Sequence, residues 1–172
     1  MSTTRLMQAS LVLALTLGAA RPATVQDYKS WNCAQVQGNL TEVVVDSKVA
    51  PWDTIGRVVS TADGDLTSVG SAILTAVFPG KAAGTLEAKA GRWMVLSPSD
   101  QIWASDAVVL TPIPNSPDVN DVVTITLRGG QGKYLNATGT IVATGKGFNF
   151  FPAPVAGKSY FTFRYSGQVC VP

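Results

Sequence analysis

From residue 38 onward the chain never sustains a helical hydrophobic period. Short runs rich in Val, Ile, Thr and aromatic residues alternate with clusters of Gly, Pro, Asn and Asp. This alternation restricts the fold more than any other feature, because β-branched runs broken by turn formers read as strands joined by tight connections. Strands are expected near 40–46, 54–61, 68–78, 84–96, 101–111, 121–128, 138–144 and 159–170, separated by VAPWD, TADGD, FPGKAAG, SPSD, PIPNSPD and FPAPVAG among others. About eight strands at such regular spacing imply an all-β fold, either an antiparallel sandwich or a closed barrel. The barrel is favoured because closure leaves no strand edge open to pairing with other chains. In the last strand Phe161, Phe163 and Tyr165 share one face, with Tyr160, Thr162 and Arg164 on the other.

The chain has 172 residues, enough for one domain with a proper core, and only 14% of them are charged, against about a quarter in an average protein. With a net charge of +2 and no Lys/Arg run, nucleic acid is not an expected partner. Residues 1–20, MSTTRLMQASLVLALTLGAA, place one basic residue before an apolar stretch that ends in small residues. That is the layout of a secretory signal peptide cleaved after Ala20. The apolar stretch is short against the ~20 residues of a membrane span, although an uncleaved anchor is the competing reading. The expected organisation is therefore a signal peptide over 1–20, an irregular lead-in over 21–37 and a single barrel domain over 38–172. The protein is expected to be secreted, with no membrane association after cleavage and its oligomeric state left open.

Two cysteines, Cys33 and Cys170, lie towards opposite ends of the secreted portion, and an oxidising compartment would join them. Two buried thiols are the alternative. There is no histidine, so no histidine-based triad, proton shuttle or histidine-ligated metal can be assembled, and two thiolates alone do not complete a zinc site. No metal or other cofactor is expected, and any acid–base chemistry falls to carboxylates, lysines or tyrosines.

The most distinctive segment is LRGGQGKYLNATGTIVATG, residues 127–145. A phosphate-binding loop would place its glycines ahead of a helix, whereas here an alternating β-branched run follows. Gly129, Gly130 and Gly132 are therefore expected to supply positive φ in a hairpin or bulge, with Tyr134 packing over it. The pattern Gly129, Gly130, Gly132, Tyr134, Ala137 and Gly139 resembles the glycine-rich hairpin of plant dirigent proteins and allene oxide cyclases, and GKSYFTFRYSGQV resembles the aromatic strand that follows in the cyclases. The similarity covers roughly residues 120–170. It implies an eight-stranded barrel with an apolar cavity open at one end, used without metal or redox cofactor to guide a cyclisation or coupling by orientation and exclusion of water. It also implies a cavity-floor glutamate on the first strand, a position that Glu42 matches, although the family's asparagine two residues on is here Val44.

Read from the residues alone, Glu42 shares register with Asp46, so an outward, solvated position is the alternative. Asp106 shares a face with Ile102, Ala104, Val108 and Leu110, so an inward-facing strand would bury its carboxylate. Arg57, grouped with Ile55 and Val59, is the partner expected for it; a purely structural pair, or a strand face turned the other way, is the competing reading. The catalytic candidates are thus Asp106, Arg57 and Glu42. Trp93, Trp103, Tyr134, Phe161, Phe163 and Tyr165 are candidates to line a ligand cavity or to fill the core. Two sequons, at Asn39 and Asn136, would accept glycans in a eukaryotic secretory pathway. The leading functional expectation is a secreted barrel that binds an apolar small molecule and guides a cofactor-free cyclisation or coupling. The alternative is a non-catalytic secreted surface, matrix or carrier protein. A hydrolase using Asp53, Asp63 or Asp65 ranks third, since those acids lie at turns.

Overall fold

The structure, a computed structural model, describes residues 31–46 and 56–172. Eight strands, β1 (Asn32–Asp46), β2 (Arg57–Ala62), β3 (Ser68–Pro79), β4 (Leu86–Val95), β5 (Gln101–Pro112), β6 (Val119–Gln131), β7 (Thr138–Phe148) and β8 (Tyr160–Val171), form a closed antiparallel barrel in chain order. The expected strands all appear, and β8 closes the sheet by pairing with β1 from Val43↔Tyr160 to Asn32↔Val171. One boundary is corrected. Residues 32–37, expected to be irregular, belong to β1, because β8 runs to Val171 and offers them a full ladder of partners. The expected signal peptide and the rest of the lead-in up to residue 30 lie outside the described residues, as do Asp53 and Ile55. Among the described residues no helix is long and apolar enough to cross a membrane.

The two ends of the barrel differ. At the end formed by the β2–β3, β4–β5 and β6–β7 connections, the interior is filled by Val36, Leu40, Met94, Ile102, Leu127 and Tyr165, all buried. The Tyr165 hydroxyl donates to the Asp63 carbonyl at 2.7 Å and accepts from the Leu66 amide at 3.0 Å, which fixes the β2–β3 turn over this end. Cys33 and Cys170, directly paired between β1 and β8, are joined by a disulfide on the same side. At the opposite end the 149–159 connection folds across the opening. The amides of Phe150 and Phe151 both donate to the Pro117 carbonyl at 2.8 Å, and the Gly157 amide donates to the Val44 carbonyl at 2.7 Å. Ser159, fully buried, donates to the Asn149 carbonyl at 2.6 Å and accepts from the Val155 amide at 2.7 Å, so a single hydroxyl ties this segment together.

The glycine-rich segment is a corner between strands. β6 leads into a short 3-10 turn, Gly132–Tyr134, and then directly into β7. Gly129 and Gly132 have φ of 116° and 64°, as a bulge and a tight turn require, and Tyr134 is buried against the corner. Gly130 departs from the expectation, since its φ is not positive. It is needed for space, because a side chain there would meet the Gln101 carbonyl of the neighbouring strand.

Candidate functional site

Side chains alternate strictly across a strand, so each strand contributes one inward row. Towards the end covered by the 149–159 connection, those rows leave a cavity of about 210 Å³. Its walls come from small and branched residues, including Val58, Ala72, Ala88, Ala90, Val108 and Val123, and Phe150, Phe151 and Phe161 close over them. Alanines at successive inward positions of β4 create the space, because a larger side chain on each would fill it.

Four buried ionisable side chains, Glu42, Arg92, Asp106 and Asp121, interrupt this apolar lining, with Asp46 and Arg57 at its rim. Arg92 on β4 is fully sequestered, its side chain 1% exposed, and lies between two carboxylates. Its Nε and Nη2 donate to Asp106 Oδ2 at 2.8 and 2.7 Å, and its Nη1 pairs with Glu42 Oε1 at 2.6 Å. Burial acts to lower the Arg92 pKa, but the charges of Glu42 and Asp106 outweigh it and hold the guanidinium more firmly protonated than usual. Burial raises the Asp106 pKa, and the Arg92 charge offsets this only in part. Asp121, from β6, is 4% exposed and lines the same cavity. Burial, reinforced by the negative charge of Glu42, lifts its carboxyl well above the usual range, with only partial relief from the Arg92 charge and a hydrogen bond from the Val122 amide. Oδ1 of Asp106 and Oδ1 of Asp121 have no hydrogen-bond partner among the described residues. Buried acceptors of this kind are rare in folded proteins, and these two carboxyl oxygens are not offset by an ion-pair contact as Glu42 Oε1 is.

The sequence-based candidates divide between inside and outside. Glu42 and Asp106 both point into the barrel and meet through Arg92. Arg57 does not pair with Asp106. It is exposed and stands at the cavity rim, because Val58 and Ser60 take the inward positions of β2 and Val59 faces out at 44% exposure. Trp93 and Trp103 are corrected as well: they are 45% and 47% exposed and lie opposite each other on the outer surface of β4 and β5. Phe161 lines the cavity. Phe163 and Tyr165 are buried but belong to the filled half of the barrel, and Tyr134 belongs to the β6–β7 corner. Asp63 and Asp65 are exposed and hold β1 in place, accepting at 2.8 Å from the amides of Asn39 and Gln37.

Arg92 and Asp121 are the site residues that sequence reasoning missed, although parity carried a signal for both. Arg92 alternates with Ala88, Ala90 and Met94, whereas Trp93 alternates with the charged Glu87 and Lys89. Asp121 alternates with Val123, Ile125 and Leu127, but its setting in PNSPDVND reads as a turn. No protein-family model, curated protein or solved structure matches this chain.

Proposed function

We propose that the barrel is a secreted binding protein that holds a small, mainly apolar molecule in its interior and orients it against the buried polar groups. The observation that carries this reading is the cavity itself: apolar walls over a floor of Glu42, Arg92, Asp106 and Asp121, with two carboxyl oxygens left unsatisfied. Sites for small ligands have this composition, a concave apolar surface with a few convergent polar groups. Guidance of a cofactor-free cyclisation or coupling, which the likeness of the glycine-rich hairpin to dirigent proteins and allene oxide cyclases implies, is the activity proposed for it. Glu42 and Asp106 would then act from the floor, with Arg92 holding both in position. Secretion is proposed from the leader-like residues 1–20 and is compatible with the Cys33–Cys170 disulfide.

Non-denaturing mass spectrometry of the protein purified from its own source tests the binding reading. The expected result is a co-purifying small molecule that is lost in Val108→Phe, which pushes a larger side chain into the cavity wall. A ligand-free wild type, or equal retention by the variant, would remove the support for an internal site. A bound molecule that emerges chemically unchanged would favour the non-catalytic carrier reading.

A further inference from the structure

The charge balance of the cavity is uneven. Three carboxyl groups, Glu42, Asp106 and Asp121, are buried there with one guanidinium, that of Arg92. Arg92 is held between two carboxylates, with Nε and Nη2 on Asp106 and Nη1 paired with Glu42, so its charge is already shared between them before any ligand enters. Asp121 is the group left over. It comes from a different strand, is nine-tenths or more buried and faces the cavity with Oδ1 unpartnered. At the rim Asp46 and Arg57 bring one charge of each sign, so they do not correct the excess inside.

Building on the cavity-binding reading, we infer that the ligand is a cation: an apolar molecule bearing a protonated amine, which docks on Asp121. An ammonium group donates three hydrogen bonds and accepts none, which suits a site whose unsatisfied atoms are carboxylate oxygens. It would also supply the positive charge that the third carboxylate lacks, in an environment where a lone buried charge is strongly disfavoured. An anionic ligand meets three carboxyl groups and an arginine already paired with two of them. A neutral alcohol can satisfy one acceptor but leaves the charge excess unchanged. The apolar walls hold the rest of the molecule, and about 210 Å³ far exceeds the ~10–15 Å³ that a single water needs.

Docking of an ammonium requires Asp121 to be ionised, so binding must release its proton wherever that carboxyl is protonated in the empty protein. The groups that act on it are Glu42 from β1, Arg92 from β4 and Asp106 from β5, with Asp46 and Arg57 farther out at the rim. Amine affinity is therefore expected to fall as pH is lowered through the raised Asp121 pKa, in a range where the amine itself stays protonated.

Isothermal titration of the full-length secreted protein with hexylamine, hexanol and hexanoate, probes of equal chain length and different head charge, tests the inference. Hexylamine is expected to bind at least about tenfold more tightly than the other two, and Asp121→Asn, which keeps the side-chain shape, is expected to lower its affinity about tenfold or more. Equal or tighter binding of hexanol or hexanoate would overturn the cationic assignment while leaving the cavity reading intact. Hexylamine preference that survives in Asp121→Asn would overturn the role of Asp121. Failure of all three probes to bind would overturn the cavity reading, and this inference with it.

Discussion

Arg92 and Asp121 represent two different ways of burying charge. Arg92 is matched on both sides, and breaking such an arrangement by removing the shared partner leaves two carboxylates uncompensated. Arg92→Met should therefore destabilise the barrel by about 3–5 kcal/mol in urea denaturation at neutral pH, with a smaller loss in acid, where the carboxyls are protonated. An unchanged midpoint would show that the ion-paired cluster contributes nothing to folding. Asp121 behaves in the opposite sense. Its folded pKa is raised, so the folded state holds a proton that the unfolded state has released, and stability falls as pH rises from the ordinary carboxylate range towards the folded pKa. Asp121→Asn removes that cost. It is expected to match the wild type near pH 4 and to exceed it in melting temperature at neutral pH. A variant that is less stable than wild type at neutral pH would mean that Arg92 and the Val122 amide outweigh the cost of burying the carboxyl.

At the scale of strands and turns, the period-two pattern carried most of the fold. Seven of the strands appear within a few residues of where their β-branched runs place them, and only β1 extends well beyond, through the polar NCAQVQ stretch that β8 pairs with. Which face turns inward was harder to read wherever both parities are apolar. In β2, Val58 and Val59 are adjacent, so nothing local shows that Val58 faces in and Arg57 out. In β5 a single parity had to decide between Asp106 and Trp103: an inward Asp106 already requires an outward Trp103, and side-chain size alone misled. A cavity was expected only through the resemblance of the glycine-rich hairpin; its lining was not legible in the residues, since it depends on alanines from one strand facing residues brought from distant strands. The glycine-rich corner was legible because it is local. Gly132→Val should block folding or secretion, because Gly132 is left-handed and an added side chain would meet Asp100 and the Ser99 carbonyl. The yield of soluble folded protein, compared with Gly84→Ala at an open left-handed turn, reads this out. Equal yields of Gly132→Val and wild type would mean that the corner is more tolerant than its geometry implies.

For the molecule as a whole, the β1–β8 seam makes the sheet a barrel, and it joins the two ends of the described chain. Glu42 and Phe161 face each other across it, so the cavity exists only while the seam is closed. The Cys33–Cys170 disulfide bridges the same seam with a sequence separation of 137, and the chain-entropy account credits a loop of that length with about 5 kcal/mol. That value is an upper bound, because the reduced unfolded chain is more compact than an ideal coil. The bond is nine residues along β1 from Glu42, roughly 30 Å of extended strand, and at the filled end of the barrel. It therefore acts on the folding equilibrium and not on the shape of the cavity. The double variant Cys33→Ser/Cys170→Ser is expected to lose up to about 5 kcal/mol in urea denaturation, yet to bind the cavity ligand as the wild type does at temperatures well below its lowered melting point. If binding fell while the variant was still fully folded by circular dichroism, closure at the disulfide end would be setting the geometry of the distant floor. The ladder from Leu40↔Phe163 to Val43↔Tyr160 would then be insufficient to hold Glu42 against Arg92.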